Sequence, residues 1–409
     1  MRVRVRENLL ATLGAALGIS LVGWLGLTDW AWNDYDREAR PAFDALLAGH
    51  LLGFLKLAPA YGGSLVLRAP FVLITKLWGG GQLAIYRASA APCLIASAIL
   101  GVWLVARLRA RGVPLMTRAL ALGLCAANPV TLLALETGHP EELLGAVLCV
   151  AAVAVALDGR PLGAGALLGL AVANQEWALL AAGPVLLALP RGRVRAAAVA
   201  LALAGAILLP LAAAGPFVAQ VKGAAAPDNL VFSPWQLWWF LGPPLHRVIA
   251  GEPWATRLDP GWLAAVAHPL IVAVALPLSL LCAWRRRRGL RAAAREPLLL
   301  LCLLLLLRCA LDPWDNWYYP LPFLLALLVW EVRDGSGPPI LALCASGAWW
   351  ILTQWLVPSH GFSADEQSLL FLAAAVPALI ALLLALYAPG AGRRLRARPL
   401  RRAVRAAAA

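Results

Sequence analysis

Long apolar segments recur along the whole chain, and short loops rich in arginine separate many of them. A transmembrane helix needs about 20 mostly apolar residues, so segments of this kind favour membrane helices over a soluble fold. Composition agrees, because 62% of the residues are hydrophobic and only 14% are charged, whereas roughly a quarter are charged in soluble domains. The sequence therefore predicts an all-α polytopic membrane protein, built as one integral membrane domain over residues 1–409.

The distribution of charge predicts the topology. Most of the 35 Lys and Arg residues fall in loops that alternate with more acidic ones, and the basic side of a membrane protein faces the cytoplasm. This pattern, with attraction to anionic membrane lipids, accounts for the net charge of +14 without a nucleic-acid partner. We predict a multi-pass protein of the cell (plasma) membrane with both termini in the cytoplasm. Its twelve spans are placed at residues 9–28, 84–106, 118–135, 141–157, 162–174, 177–190, 196–215, 263–284, 296–311, 317–333, 338–356 and 367–388.

The stretch 162–190 fits either one helix or two. A single crossing would place the arginines at positions 191, 193 and 195 outside, so two short helices that meet near Gln175 and Glu176 are preferred. Helices this short should lie within the bundle and lower a polar elbow below the outer surface. Gln175 and Glu176 are therefore candidate substrate contacts, although ordinary helix caps give the same pattern.

Two long external segments and a tail complete the predicted layout. Residues 29–83 form a first external loop with two interfacial helices, the first over EARPAFDALLAGHLLGFLKL and the second, interfacial or partly inserted, over SLVLRAPFVLITKLW. Residues 216–262 form a second external loop rich in Trp and Pro. Residues 389–409 form a basic cytoplasmic tail.

The first external loop begins with closely spaced carboxylates. Asp34 and Asp36 are two residues apart, so they would share one side of an extended backbone. A carboxylate at a membrane surface can serve as a general base, and burial or a like charge raises its pKa. The alternative is that Asp36 caps a helix that begins at Arg37.

The layout resembles the GT-C superfamily of glycosyltransferases that use polyprenyl-phosphate sugars. Many members carry an Asp-Glu or Asp-x-Asp motif at the start of the first external loop, followed by small and apolar residues and then Gly. Here Asp34-Tyr35-Asp36 with Ala39, Ala42, Leu46 and Gly49 resembles that motif. Tyr35 replaces the glutamate, which leaves open whether Asp34 or Asp36 is the equivalent residue. The segments NPVTLLALETGHPEELLGAVL, GLAVANQEWALL and LRCALDPWDNWYYPLPFLLALLVWE are similar to an actinobacterial branch near the mannosyltransferase-type families.

The resemblance implies an inverting glycosyltransferase. It would move a mannose- or arabinose-like sugar from a polyprenyl-phosphate donor to a lipid-linked glycan or other cell-envelope acceptor on the outer face, with Asp34 or Asp36 as general base. The spacing to Gly49 favours Asp34. No cofactor is certain, and a divalent cation is possible.

The phosphate of the donor needs a nearby cation. Arg308 lies one turn inside the outer end of its predicted span and is the first candidate, with an ion pair to Asp312 as the alternative. Arg68 and Lys76 on the second predicted interfacial helix are further candidates, or anchors to lipid phosphate.

Other polar and aromatic residues are predicted at outer helix ends. His139, with Glu141 beside it, is expected to line the site, although Pro140 and Glu141 are also typical of a helix start. Aromatic residues there are typical of an interfacial belt, and some are expected to contact the sugar or the prenyl chain. They include Trp239 and Tyr318, with Asp312 as a polar neighbour.

A transporter or flippase of a lipid-linked envelope precursor is the main alternative function. Such proteins usually place ionisable residues near the bilayer midplane and often have repeated halves. No internal repeat is evident, and the external acids lie in loops or at helix ends. A non-catalytic assembly scaffold is a third possibility, and it would require no single carboxylate.

Overall fold

The structure is a computed structural model of the chain. It describes residues 2–27, 34–77, 79–219, 232–249, 252–288, 296–314, 316–335 and 337–388. The predicted basic tail at 389–409 lies outside these residues, and so do parts of both long external segments.

Nearly all of the described regular structure is helical. The first half of the chain contains α1 (Arg2–Gly26), α2 (Asp34–Glu38), α3 (Arg40–Leu47), α4 (Leu51–Leu57), α5 (Gly62–Ile74), α6 (Gln82–Ala110), α7 (Leu115–Ala126), α8 (Pro129–Thr137), α9 (Pro140–Leu157), α10 (Pro161–Asn174), α11 (Ala182–Ala188) and α12 (Arg193–Ala214). The second half contains β1 (Pro244–Ile249), β2 (Glu252–Arg257), α13 (Leu263–Arg287), α14 (Glu296–Leu311), α15 (Leu321–Asp334), α16 (Ile340–Ile351), α17 (Val357–His360) and α18 (Ala364–Tyr387).

This is an all-α membrane protein in its main architecture. Among the described residues, eight helical segments are at least 18 residues long and apolar enough to cross a membrane, with Leu115–Thr137 (α7 and α8) and Ile340–His360 (α16 and α17) each taken as one segment. Each of the twelve predicted spans overlaps a helical segment, with α10, α11, α14 and α15 shorter than that length. The elbow between α10 and α11 consists of the 3-10 turn Glu176–Ala181, as expected for two short helices rather than one.

A cluster of ionic side chains joins helix ends that are far apart in sequence. We call this cluster the basic end, and it consists of Glu7, Arg107, Arg118, Asp158 and Arg333. Asp158, just after α9, accepts hydrogen bonds from Arg107 on α6 and Arg333 on α15, at 2.9 and 3.0 Å. Arg118 at the start of α7 approaches Glu7 on α1 at 3.4 Å. These residues belong to the side of the bundle that the charge pattern predicts to be cytoplasmic.

Helix α9 is at the centre of the bundle. Every residue from 140 to 150 is buried, because α9 packs against α6, α10, α15 and α11. Helix α5 enters this core beside α10, and a Cβ atom on Gly63 would lie 1.9 Å from the carbonyl oxygen of Ala173. Only glycine allows an approach this close. The tight contact sets the position of α5 relative to the start of α9.

The first external loop differs from the prediction. Its first helix is not continuous, because α3 ends at Leu47 and Gly49 has a left-handed φ of 84°, after which α4 begins at Leu51. The expectation of extended backbone at Asp34 and Asp36 was wrong, since α2 begins at Asp34. Residues two apart on a helix point in different directions, so these carboxylates do not share a side.

A two-stranded antiparallel hairpin, β1 and β2, was not predicted by the all-α interpretation of residues 216–262. The segment before it, 232–241, docks on the end of α14. Leu237 N donates to Ala310 O and Trp238 Nε1 donates to Leu311 O, both at 2.8 Å. Arg257 at the end of β2 makes two hydrogen bonds to Asp365 on α18, each 2.8 Å long. The described part of the segment 216–262 is therefore attached to the end of α14 and the start of α18.

Candidate functional site

The contact between Asp34 and His139 joins α2, in the segment 29–83, to the start of the central helix α9. Asp34 Oδ2 lies 3.2 Å from His139 Nε2, and His139 Nδ1 lies 2.7 Å from Glu141 Oε1. Local sequence explains the position of the imidazole. Gly138 ends α8 with a left-handed φ of 97°, and Pro140 starts α9, so His139 occupies the turn between them.

Aromatic rings hold the imidazole in place. The ring of Tyr318 stacks on His139 at a centroid distance of 5.0 Å, and Tyr61 meets it edge-on at 5.9 Å. The His139 side chain is only 11% exposed, whereas that of Asp34 is 42% exposed. Asp34 is therefore the member of the pair that a substrate in solution or at the membrane surface can reach.

The electrostatics of this pair favour a bound proton. Burial lowers the pKa of His139, but its hydrogen bonds to Asp34 and Glu141 raise this pKa well above the ordinary value. Glu38 lies one helical turn after Asp34. Burial raises the pKa of Glu38 above its ordinary value, although His139 and Tyr61 act in the opposite direction. The Tyr61 hydroxyl lies near Glu38 without the geometry of a hydrogen bond. Several ionisable groups around His139 therefore influence one another's protonation.

Arg68 and Glu141 form an ion pair beneath this site. Arg68 NH2 lies 3.2 Å from Glu141 Oε2, and both side chains are 0% exposed. Asn174, the last residue of α10, donates from Nδ2 to the backbone carbonyl of Glu141 at 2.9 Å. Arg68 is thus inside the protein, where neither a lipid phosphate nor a donor phosphate reaches it. The expectation that it lies at the surface was wrong because α5 packs into the bundle.

Arg308 lies in a second buried pair. Its guanidinium donates to both oxygens of Glu142, at 2.9 and 3.3 Å, and it lies between the rings of Trp177 at 4.6 Å and Tyr319 at 4.2 Å. Trp177 Nε1 also donates to Glu142, at 3.1 Å. The expected alternative, a pair with Asp312, was wrong because Glu142 offers a bidentate partner across the bundle. Arg308 is neutralised in this arrangement.

Asp312 pairs instead with His268 near the start of α13. His268 Nε2 lies 3.5 Å from Asp312 Oδ2, and the other carboxylate oxygen accepts from the backbone N–H of Trp314 at 3.0 Å. The Trp314 ring meets His268 edge-on at 5.1 Å. His268 is 34% exposed, and Glu176 is a further acid in its surroundings. A second imidazole–carboxylate pair therefore lies at the same end of the bundle.

These contacts form one polar layer across the bundle. It is made of three neighbouring groups, centred on His139 with Arg68, on Arg308 with Glu142, and on His268 with Asp312. The layer consists of Asp34, Glu38, Tyr61, Arg68, His139, Glu141, Glu142, Trp177, His268, Arg308, Asp312, Tyr318 and Tyr319.

The remaining predicted site residues lie apart from this layer or at its edge. The prediction that Asp36 caps a helix beginning at Arg37 was wrong, because Asp36 lies inside α2, where it accepts a hydrogen bond from Arg40 at 3.0 Å. Lys76 is exposed in the 3-10 turn after α5. Trp239 donates to Asp365 at 2.7 Å and packs on Phe232. At the elbow, Gln175 is buried and Glu176 is exposed.

Sequence reasoning did not single out several members of the layer. Glu38 had a detectable signal, because it lies at i+4 from Asp34 on a helix that starts with acids. Glu142 follows Glu141 in the first turn of α9, where acidic residues are common, so its position gave no specific sign of a site. Tyr61 and His268 gave no local signal, since their partners are distant in sequence.

The described part of the chain contains no group of three or more His, Cys, Asp or Glu side chains arranged to hold a metal ion. The acids of the polar layer are instead paired with imidazole or guanidinium groups. The hypothesis of a divalent cation therefore has no ligand set among the described residues.

No family model matches this chain, and neither a curated protein nor a solved structure is significantly similar to it. The chemistry of the polar layer is therefore the basis for assigning a function.

Proposed function

We propose that the protein is an inverting glycosyltransferase of the plasma membrane. It transfers a sugar from a polyprenyl-phosphate donor to a hydroxyl group of a lipid-linked glycan or other envelope acceptor. The observation that carries the proposal is the contact of Asp34 with His139, 3.2 Å apart, at the entrance of the polar layer. In the proposed topology, twelve spans leave both termini in the cytoplasm and this layer on the outer face.

The Asp34–His139 pair has the chemistry of a general base. When Asp34 is ionised and His139 is neutral, the pair accepts the proton of the acceptor hydroxyl. The hydroxyl oxygen then forms a bond to the anomeric carbon from the face opposite the phosphate. The bond from that carbon to the phosphate oxygen breaks, and its electron pair leaves with the phosphomonoester. The proton remains on the pair, which titrates as one unit because the two groups interact strongly.

His268 is the cation that best fits the departing phosphate. Arg308 is the weaker candidate, since Glu142 already neutralises it through two hydrogen bonds. His268 is one-third exposed, and Asp312 lies 3.5 Å from its Nε2 atom and orients the ring. The Trp314 ring beside it offers an apolar face for a sugar.

The location of the buried charges supports an enzyme over a transporter or flippase. Glu141 and Glu142 lie in the first turn of α9, and Arg308 lies in the last turn of α14. These helix ends belong to one side of the bundle, whereas coupled transport typically places ionisable groups near the midplane.

Transfer assays with the full-length protein in nanodiscs test the proposal. A panel of radiolabelled polyprenyl-phosphate sugars serves as donor, with envelope glycolipids as acceptor. We expect Asp34→Asn to lower kcat by about 10²- to 10⁴-fold, the usual contribution of a general base. Asp36→Asn is expected to keep most of the activity, because Asp36 pairs with Arg40. Asp44→Asn, at an exposed contact in the same loop, is the matched control.

The proposal is wrong if no donor is consumed, or if folded Asp34→Asn transfers sugar as fast as the wild type. Topology is tested separately with one introduced cysteine, which replaces either Lys76 or Arg111, both of which are exposed. The background is Cys344→Ser, which removes the exposed native thiol. We expect a membrane-impermeant maleimide to label position 76 on intact cells and position 111 only after lysis. The reverse pattern contradicts the orientation.

A further inference from the structure

His139 lies between two carboxylates in different surroundings. Asp34 contacts Nε2 and is partly exposed, while Glu141 contacts Nδ1 at 2.7 Å and is completely buried. The shorter contact is therefore the one that solvent does not screen. A carboxylate at Nδ1 fixes the proton on that nitrogen and leaves Nε2 directed at the group that exchanges protons.

Arg68 is the counter-ion of that buried carboxylate. Its nitrogen lies 3.2 Å from Glu141 Oε2, but the alignment is not that of a hydrogen bond. The pair therefore acts mainly through charge. The Arg68 guanidinium lies over the Phe43 ring, 5.8 Å from its centroid, and Tyr61, Tyr86 and Cys93 are also close enough to interact with it electrostatically. A completely buried carboxylate stays ionised only with a cation beside it.

We propose that Arg68 and Glu141 are positioning residues that fix the tautomer of His139 and set the pH at which the Asp34–His139 pair accepts a proton. This inference rests on the proposed function for its catalytic meaning. The dependence of the His139 tautomer and titration on the buried Arg68–Glu141 pair is testable without any sugar transfer.

The other ionisable groups near His139 do not replace this pair. Asp34 and Glu38 face it from α2, and both lie nearer to solvent than Glu141. Tyr61 and Tyr318 contact the ring through their aromatic rings, and burial raises the pKa of Tyr61. On α9, Glu142 is the remaining acid, and Arg308 neutralises it. Glu141 alone combines complete burial with a contact to Nδ1.

Removal of the Arg68 charge has a defined consequence. In Arg68→Met, Glu141 loses its counter-ion and takes up a proton, because an unpaired carboxylate is unfavourable in a dry site. His139 then loses one negative neighbour, and its titration midpoint falls by about one to three pH units. Arg68→Lys keeps the charge and is expected to retain most of the wild-type behaviour.

Two spectroscopic measurements on the full-length protein in nanodiscs test the inference. NMR of histidine labelled with ¹³C and ¹⁵N follows the titration of His139, whose signal is identified by its loss in His139→Gln. Infrared difference spectroscopy detects the carbonyl band of a protonated carboxyl group. Arg40→Met, which removes a partly exposed arginine at the start of α3, is the matched control.

We expect a lower His139 midpoint and a new protonated-carboxyl band in Arg68→Met, and neither change in Arg40→Met. The band should disappear in Arg68→Met/Glu141→Gln, while the low midpoint remains. An unchanged or higher midpoint in Arg68→Met overturns the inference. If Arg68→Met does not fold, the His139 midpoint is measured in Arg68→Met/Glu141→Gln instead, because that double variant buries no unpaired charge. An unchanged midpoint in the double variant also overturns the inference.

The failure of the inference and the failure of the proposed function give different results. If no donor is consumed but the His139 midpoint falls as expected, the glycosyltransferase proposal fails and the positioning role stands. If transfer is observed, we expect the acidic limb of its pH profile to move to lower pH in Arg68→Met by the same amount. The plateau kcat falls because the base is weaker, and the KM for the donor stays the same. A limb that does not move contradicts the inference even though the protein is active.

Discussion

The two ends of the helix bundle both place carboxylates beside cations, but they differ in what those groups can do. At the basic end, Asp158 lies between Arg107 and Arg333, and neither guanidinium releases a proton at any physiological pH. In the polar layer, Asp34 and Glu141 share an imidazole, which can bind and release a proton. The first arrangement fixes one charge state and joins helices. The second has two accessible protonation states, which acid–base chemistry requires.

The largest expected effect is the loss of sugar transfer when His139, in the polar layer, is replaced. His139→Gln removes the imidazole but keeps a polar side chain, so we expect kcat for sugar transfer to fall by about 10²- to 10⁴-fold. The measurement is steady-state transfer with the donor that the wild type uses. If His139→Gln is folded and nearly as active as the wild type, the two ends do not differ in the way described.

The next effect concerns stability inside the polar layer. Arg308→Met leaves Glu142 buried without its bidentate partner, and loss of one member of a buried pair costs about 3–5 kcal/mol. Thermal unfolding in detergent should therefore occur at a clearly lower temperature. Arg308→Met/Glu142→Gln is expected to recover most of the loss. A double variant as unstable as the single one would show that Arg308 contributes mainly by packing between Trp177 and Tyr319.

At the basic end, we expect a smaller loss of stability without loss of activity. Asp158→Asn weakens two charged hydrogen bonds, which together should contribute about 1.5–3 kcal/mol. Burial raises the pKa of Asp158, but Arg107 and Arg333 lower it below the ordinary 3.8. Because the folded pKa is depressed, this stabilisation is present above about pH 4 and is lost below it. Unfolding measured at neutral and acidic pH checks both points, and reduced transfer by a folded variant would contradict the separation of the two ends.

The pH dependence of transfer gives a more gradual effect. The base requires neutral His139, whose pKa is raised by Asp34 and Glu141 in spite of burial. On the acidic side of that pKa, we expect kcat to fall about tenfold per pH unit, equivalent to about 1.4 kcal/mol. Residual activity of His139→Gln should lack this limb. A wild-type profile that is flat from mildly acidic to alkaline pH would exclude His139 from the titrating pair.

The smallest expected effect involves a partly exposed surface pair, which serves as a reference for both ends. Asp365 is about half exposed and accepts two hydrogen bonds from Arg257. Exposed ion pairs contribute about 0–1 kcal/mol, so Asp365→Asn should change thermal unfolding very little. A loss as large as that of Asp158→Asn would mean that the attachment of the hairpin β1–β2 to α18 is a main element of stability.

Much of the helical architecture could be predicted from the sequence, because long apolar runs and loop charges follow directly from the bilayer as solvent. Every predicted span has a helical counterpart, including the pair that meets at the elbow. The hairpin was missed, since its strands are short and lie in a segment dominated by Trp and Pro. The helix at Asp34 was also missed, because only five residues form it.

The partners within the site were harder to predict than the site residues themselves. Asp34 and His139 were both candidates, but they are 105 positions apart, and no local rule joins them. Arg308 shows the same limit, since i,i+4 spacing suggested Asp312 while the actual partner, Glu142, is 166 positions away. Helical periodicity describes neighbours on one helix, whereas these pairs depend on how separate helices pack.

The contact between Gly63 and Ala173 has a consequence at the level of the gene. Every single-nucleotide change that replaces a glycine adds at least a Cβ atom, and at position 63 that atom would lie 1.9 Å from a backbone oxygen. Any missense change of this codon therefore forces α5 away from α10 and moves Arg68, five residues further along, relative to Glu141. The absence of a side chain at position 63 thus determines the geometry of a charge pair to which Gly63 does not belong.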